Sequence, residues 1–484
     1  MNAKKIIQKQ TPRPTVEIHL PDGRVLSAAR GTSVESFFKA LPEWDNTPIT
    51  GAIVNGELRE LTYPIEMDSR VQPVKLSDAD GARIYRRSLT FLLEAAFDDL
   101  FPNHVLVVDH SIVSGGFYCH LMEADRLTAE QLQTLEAHMR ELVKADVPLE
   151  KHQVPLAEAI AFFQSKGQED KVRLMKYRHK DHLVLYSLGQ HRDYHHGYMV
   201  PSTGYLQWFS LTPMGEGFVL RFPRRFMPTE LQPLPGTEPL LAIYRQYGDW
   251  LARLGIDNVG ALNDAIVERR IREIILVSEA LHEQKIAEIA SQISSRVGKT
   301  RIVLIAGPSS SGKTTFSKRL AVQLLAHGVS PFPIEMDNYF VDREDTPLDE
   351  RGQIDYEALG ALKTKLLSDH LLRLIAGEEV QLPKYNFFTG KGEPGETVRL
   401  EKDRLIILEG IHGLDPQLLP EIPAERTYRI YVSCLTQLNL DRHNRISTTD
   451  SRLIRRIVRD ARERGYSAQQ TIQRWESVRR GEKR

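Results

Sequence analysis

Eight residues limit what this chain can fold into more than any other feature. Gly307-Pro308-Ser309-Ser310-Ser311-Gly312-Lys313-Thr314 matches the phosphate-loop pattern G-x-x-x-x-G-K-[ST]. The apolar run RIVLIAG leads into it and reads as a buried strand. An amphipathic pattern over 314–327 follows, with Phe316, Leu320, Ala321 and Leu324 on one side and Gly328 as its stop. The spacing has a chemical reason. Glycines let backbone N–H groups wrap a phosphate chain, Lys313 neutralises the terminal phosphates, and the Thr314 hydroxyl is placed to ligate Mg²⁺. The helix that follows turns its positive end toward the anion. Residues 307–315, Thr315 included, are therefore the expected nucleotide-holding loop, with ATP and Mg²⁺ as its ligands. Downstream, SPFPIEM, RLIILEG and TYRIYVS are further strands separated by helical stretches. That alternation predicts an α/β domain with a parallel sheet. GTP hydrolysis is disfavoured. No Asn is followed by Lys, so a base-reading N-K-x-D is missing, and neither D-x-x-G string, at Asp78–Gly81 or Asp349–Gly352, follows a buried strand after the phosphate loop.

The rest of the 484 residues leaves room for two more folded units. Residues 1–13 read as a tail. Over 14–77, VEIHLPDGRVLSA and GAIVNGELREL are strand pairs turning at Pro21-Asp22-Gly23 and Asn55-Gly56, with a helix opened by Ser33 between them, a small ββαββ domain. Residues 78–235 mix helices at 87–97, at 128–144 behind the capping box Thr128-x-x-Gln131, and at 155–164 with the strands HLVLYSLG and GFVLRFP, an α+β domain ending in the Pro- and Gly-rich LQPLPGTEP. Residues 236–298 read as a helical connector and 299–484 as the P-loop domain. No 20–50-residue repeat is present. No apolar run approaches the roughly 20 residues that span a bilayer, and the N-terminus lacks the apolar core of a signal peptide. Cys119 and Cys434 are too few for a disulfide framework. A cytoplasmic protein with no membrane contact is the expectation, and the sequence leaves homo-oligomerisation open. Lys+Arg and Asp+Glu both number 64. The balance is a cancellation, because residues 441–484 carry 13 basic against 6 acidic side chains.

Beyond the loop, residues 301–484 resemble the uridine kinase/phosphoribulokinase family of P-loop kinases. Met336-Asp337-Asn338-Tyr339-Phe340 resembles the family's D-S-F-Y segment, which implies Asp337 as the base that takes the acceptor hydroxyl's proton, with Tyr339 in the substrate site. Ile354-Asp355-Tyr356 is similar to the segment whose Asp holds the ribose hydroxyls. Leu382-Pro383-Lys384-Tyr385-Asn386-Phe387 is similar to P-x-Y-D-F of the nucleoside pocket, implying Asp355 and Tyr385 as substrate contacts. Leu408-Glu409-Gly410 resembles the strand end that holds Mg²⁺, implying Glu409 beside Thr314 as the metal pair. The block Asp450 to Gly465 resembles the family's lid, D-x-R-L-x-R-R-x-x-R-D-x-x-E-R-G. Arg452, Arg455, Arg456 and Arg459 stand at helical spacing there, and clustered guanidinium groups can neutralise a transferring phosphoryl group. Arg452 and Arg456 join Lys313 and Asp337 as the implied catalytic set. Two departures stand out. Gly390 occupies the position of the family's base-contacting His, and the chain ends at Arg484 where the family continues into another strand.

Residues 14–77 resemble a TGS domain, and about 80–225 resemble the second additional, editing-type domain of threonyl-tRNA synthetase. Arg87-Ser-Leu-Thr-Phe91-Leu-Leu-Glu-Ala-Ala, Gly116-Phe-Tyr118 and Asp193-Tyr-His195-His196-Gly-Tyr-Met199-Val-Pro-Ser-Thr-Gly204 carry the second resemblance. Editing needs an H-x-x-x-H and a C-x-x-x-H pair, and the four positions here are Arg87, Phe91, His195 and Met199. Deacylation of tRNA is therefore not expected. Five of the sixteen histidines, His179, His182, His191, His195 and His196, fall within 18 residues. Their spacing fits no standard metal motif, so they read as surface and hydrogen-bonded groups.

Together these readings describe an ATP- and Mg²⁺-dependent kinase that phosphorylates the ribose 5′-hydroxyl of a uridine- or cytidine-like nucleoside. The alternatives are a kinase of another small hydroxyl compound, and an RNA- or tRNA-linked regulator that uses its P-loop domain as an ATP switch.

Overall fold

The computed structural model describes residues 13–481 except 43, 45–47, 113, 123–125, 235–237, 349–351, 353, 357, 402 and 437. Most of the N-terminal tail, the centre of LQPLPGTEP, Asp349 of the second D-x-x-G string and the closing residues 482–484 lie outside the described residues. The chain divides into two compact units. One runs to Glu268 and includes Gln437–Arg445, and the other is Arg269–Thr436 with Ile446–Arg484.

The first unit opens with β1 (Thr15–His19), β2 (Val25–Ala29), α1 (Val34–Lys39), β3 (Ile49–Val54), β4 (Glu57–Arg59) and β5 (Ser69–Lys75). The sheet order is β2-β1-β5-β3-β4, with β1 and β5 parallel. β5 adds a central strand to the expected ββαββ pattern. Ser33 caps α1 by accepting from the Ser36 N–H, and Val34, Phe37 and Phe38 turn into a core with Ile18, Ala52 and Val71.

After it come α2 (Ala79–Leu100), β6 (Val105–Ile112), β7 (Gly116–Met122), α3 (Ala129–Lys144), β8 (Glu150–Pro155), α4 (Leu156–Ser165), α5 (Glu169–Lys176), β9 (His182–Leu188), β10 (His191–Asp193), β11 (Ser210–Met214), β12 (Gly217–Arg221), α6 (Glu238–Arg253) and α7 (Val259–Val267). Two antiparallel sheets, β10-β9-β8 and β11-β12-β7-β6, belong to this part. The capping box of Thr128 and Gln131 opens α3. α2 is buried on every side from Ser88 to Phe97, so it forms the spine of the domain core rather than an amphipathic surface helix. That position places Glu94 in the interior.

The second unit contains α8 (Ile271–Ser294), β13 (Ile302–Ala306), α9 (Lys313–Ala326), β14 (Pro331–Glu335), α10 (Thr364–Ala376), β15 (Glu379–Asn386), β16 (Lys391–Arg399), β17 (Leu405–Glu409), β18 (Thr427–Tyr431), α11 (Thr448–Glu463) and α12 (Ala468–Gly481). Its main sheet, β14-β17-β13-β18, is parallel throughout. Alternate side chains serve opposite faces. Ile302, Leu304, Ile406 and Leu408 enter one core, and Val303, Ile305, Leu405 and Ile407 the other. Each such side chain contributes about 1.5–3 kcal/mol on burial, which is why these strands read as unbroken apolar runs. Among the described residues, no helix is long and apolar enough to cross a membrane.

Candidate functional site

The carboxyl ends of β13, β14 and β17 set the site, the usual position for ligands of a parallel sheet. β13 runs into the loop 307–312. Gly307 lies so close to β18 that a Cβ there would sit 2.1 Å from the Val432 carbonyl oxygen, so a side chain is excluded. The Ser310 and Ser311 hydroxyls are buried with no hydrogen-bond partner, polar groups of the kind a bound anion would satisfy. Lys313 and Thr314 begin α9. Thr314 donates from Oγ1 to Glu409 Oε1 at 2.8 Å, which joins the helix start to the end of β17. Pro308 O accepts from Lys313 Nζ at 3.4 Å.

A cleft of about 350 Å³ lies over this loop. Its walls include Ser309, Ser310, Lys313, Thr314, Glu335, Asp337, Glu409, His412, Arg456, Arg459 and Arg464, with Phe340 and Tyr356 as aromatic sides. The Asp337 carboxylate reaches solvent, but a concave wall surrounds it. Burial pushes its pKa above 3.8, Lys313 opposes the shift, and Glu335 adds to it. Burial likewise raises Glu409, against the hydrogen bond from Thr314. A hydroxyl and a carboxylate oxygen 2.8 Å apart, next to a lysine, are oxygen ligands of the kind that would hold a hydrated Mg²⁺. The residues present fit both groups the loop implies.

The lid arginines fall on α11. Arg452 Nε donates to Ser309 O at 3.0 Å, Arg455 Nε to Ser310 O at 3.1 Å, and Arg456 Nη1 to Ser309 Oγ at 2.7 Å. Buried Asp460 holds the neighbouring guanidinium groups in place, accepting from Arg456 at 3.3 Å and Arg459 at 3.1 Å and pairing with Arg464 at 3.6 Å. Arg452 also stacks over the Trp475 ring, 5.3 Å from its centroid.

None of the three expected substrate residues, Tyr339, Asp355 and Tyr385, lines this cleft. Tyr339 does not line the cleft. Its ring is buried and its hydroxyl is 3.1 Å from His370 Nδ1, because the 3₁₀ turn of Met336–Tyr339 points it into the core. Phe340 and Tyr356 take the place proposed for it, and only their adjacency to Tyr339 and Asp355 pointed to them. Asp355 is buried and is not part of the cleft wall. Tyr385 lies behind the wall, its ring 5.5 Å from Phe340 and 5.0 Å from Phe387. Burial raises its phenol, and the neighbouring Tyr356 adds to the shift. Gly390 has φ +74° at the turn of the β15–β16 hairpin, and a Cβ there would meet Arg343 at 2.7 Å. A histidine would be strained and obstructed at this position.

The editing-type positions in the first unit hold no open catalytic set. Arg87 Nη1 donates to Tyr198 O at 2.6 Å, and burial lowers its pKa to about 10. Phe91 and Met199 are core residues. The histidine-rich stretch is not a surface feature throughout, since His191 and His195 are buried. His195 Nε2 lies 3.1 Å from Glu94 Oε2, and α2, whose burial the sequence pattern underestimates, is the reason.

The phosphoribulokinase/uridine kinase family model matches residues 302–482. Among curated proteins, the threonine–tRNA ligase of Clostridium kluyveri is 31% identical over 190 residues, 39% of this chain and 30% of that one. The chain therefore spans less than a third of the length of that relative. Among solved structures, a Bacillus stearothermophilus protein described as a possible uridine kinase aligns at 22% identity, with a TM-score of 0.27, over 31% of this chain and 81% of that one. The D-glycerate 3-kinase of Cryptococcus neoformans aligns at 20%, with a TM-score of 0.22, over 27% and 52%. This chain carries a P-loop kinase domain of the phosphoribulokinase/uridine kinase family, preceded by a region similar to threonine–tRNA ligases.

Proposed function

We propose that the P-loop domain transfers the γ-phosphoryl group of ATP to a small hydroxyl acceptor, the ribose 5′-hydroxyl of a nucleoside being the preferred one. One observation carries this reading: Lys313, Asp337, the Thr314–Glu409 pair and three lid arginines all face one cleft. The loop 307–315 holds the triphosphate through its backbone N–H groups. Thr314 and Glu409 would hold Mg²⁺, which when bound would supply positive charge against the phosphates. Asp337 takes the acceptor proton, and its raised pKa suits it to that transfer near neutrality better than an ordinary aspartate. Arg456, Arg459 and Arg464 stabilise charge on the group in flight. Arg452 positions Arg456 through their shared contacts with Ser309. The aromatic pair Phe340 and Tyr356 supplies a flat surface for a base or sugar. Gly390 removes the family's usual base contact and leaves base preference to this pair.

RNA contact through the first unit is a second reading. The similarity to tRNA ligases favours it, and it would give tRNA binding a steep salt dependence.

The first reading is tested by Lys313→Ala and Asp337→Asn, assayed for ATP-dependent phosphorylation of uridine. Each is expected to lower kcat/KM by about 10²–10⁴-fold with an unchanged circular dichroism spectrum. Asp337→Asn with wild-type activity would remove the base assignment.

A further inference from the structure

Just before the lid, the chain leaves its own domain. Both flanks of Gln437–Arg445 belong to the second unit, yet this segment packs as part of the first. Its central contact is an ion pair. Arg442 donates to Asp170 Oδ1 from Nε at 3.0 Å and from Nη2 at 2.7 Å, and its backbone N–H donates to Asp170 Oδ2 at 2.8 Å. The two side chains are only 13% and 11% exposed, so this is a desolvated, bidentate pair of the strong kind. The backbone takes part as well. Arg442 O accepts from the Val108 N–H of β6 at 2.8 Å, and Asn439 O accepts from the Val259 N–H of α7 at 3.0 Å. Arg445 Nε closes the segment by donating to Asp109 O at 2.8 Å.

The segment enters the interior that the editing-type positions border. His443 Nδ1 is 2.8 Å from Asp193 Oδ2 and 3.3 Å from Glu94 Oε2, the oxygen that also meets His195 Nε2 at 3.1 Å. Lys171 Nζ lies 3.6 Å from Asp441 Oδ1. Acids and cations compensate one another here, so the cluster is complete as an anchor. Asp441 in turn holds the segment's own shape, its Oδ1 accepting from the His443 and Asn444 N–H groups at 2.9 Å each.

Both ends of the excursion meet the root of the lid. Thr436, the last residue before it, has its Oγ1 3.0 Å from Ser451 Oγ of α11. At the other end α11 begins at Thr448, three residues past Arg445. Three residues of extended chain span at most about 11 Å, so an anchored Arg445 bounds the travel of the lid's first turn. That helix carries Arg452, Arg455 and Arg456, which reach the carbonyls and hydroxyl of Ser309 and Ser310.

We propose that Gln437–Arg445 is a strap by which the first unit positions the lid arginines for phosphoryl transfer, with Asp170, Arg442 and His443 as positioning residues. It rests on the kinase reading and adds a regulation to it: a change in the first unit that loosens the strap loosens the guanidinium groups over the phosphate loop. Such coupling is reciprocal. ATP that draws the lid down must also stiffen the strap.

The test is hydrogen exchange on the full chain with and without ATP and Mg²⁺, paired with calorimetric titration of ATP, no acceptor being present. In the wild type the amides of Arg442, His443 and Asn444 are expected to exchange slowly, and about 5-fold more slowly with ATP bound. Asp170→Ala should speed exchange of the strap and of the first turn of α11 by about 10-fold and weaken ATP binding by about 10-fold. Arg442→Lys, which keeps the charge and loses the bidentate geometry, should fall between. Glu169→Ala, exposed on the same helix as Asp170, should match the wild type in both measurements. If Asp170→Ala fails to fold, the wild type still decides: strap amides that exchange freely, or at one rate with and without ATP, would overturn the proposal. So would a folded Asp170→Ala that binds ATP with wild-type affinity, and that result would leave the kinase reading standing. Failure of the kinase reading would show instead as a strap stiffened by ATP with no ADP released to any acceptor.

Discussion

The walled-in acids of the phosphate cleft and the fully buried acids of the first unit shift in opposite directions. In the phosphate cleft, Asp337 and Glu409 rise above their ordinary values because burial dominates and their cations are few. In the first unit, Glu94 falls to about 2 despite complete enclosure, held down by His195 and His443, and Asp193 falls well below 3.8 beside Lys171. The partners show the same contrast. His191 rises to about 9 through Asp98 and Glu94, against the effect of its burial. In the cleft, Arg452, Arg455 and Arg456 reach backbone carbonyls and a serine hydroxyl, contacts that phosphate oxygens can replace, while Asp460 is shared among Arg456, Arg459 and Arg464. A closed cluster satisfies each charge with another charge and leaves none for an acceptor. Buried charge alone therefore does not identify a reaction site, whereas several guanidinium groups sharing one carboxylate beside an open cleft do.

The largest effect expected from this contrast is on stability. Lys171→Ala removes the ammonium that meets Asp193 at 2.5 Å and Asp441 at 3.6 Å, and leaves carboxylates without compensation. A loss of about 3–5 kcal/mol is expected, read from the shift in denaturant midpoint at constant slope. A loss under about 1 kcal/mol would place the pair among screened surface bridges and break the comparison. The sign of the pH dependence follows. Carboxylates held low contribute stability that is present above their unfolded pKa values, near 4.5 for Glu94, and is lost as the pH falls toward about 2.

A smaller effect sharpens the other side. If Asp337 accepts the acceptor proton, activity requires its carboxylate form. It is full above the raised pKa and lost as the pH falls through it. The acid limb of kcat/KM is expected at a higher pH than the ordinary 3.8. A limb at or below 3.8 would show that Asp337 is not desolvated in the working cleft.

The two regions also differ in how far the sequence revealed them. The phosphate loop is contiguous, and its chemistry follows from eight neighbouring residues. The lid could be read because helical spacing brings Arg452, Arg455 and Arg456 to one face. The cluster around Glu94 is assembled from α2, α5, β10 and Gln437–Arg445, more than 300 residues apart, and no local pattern marks such a set. The spacing of the five histidines marks no site because the acidic partners of His191 and His195, Glu94 and Asp98, come from elsewhere in the chain. Tyr339 turns into the core for a related reason: the D-S-F-Y resemblance locates the segment, but a 3₁₀ turn decides which ring faces the cleft. Gly390 was legible as a departure, and its cause, a hairpin turn pressed against Arg343, became visible only in three dimensions.

The central claim is that this cleft moves phosphate from ATP to a small hydroxyl. ADP release from ATP and Mg²⁺, followed over a panel of nucleosides and sugar phosphates, tests it most directly. The account predicts release that depends on the acceptor and is fastest with a nucleoside. ADP release independent of every acceptor, or none at all, would contradict it.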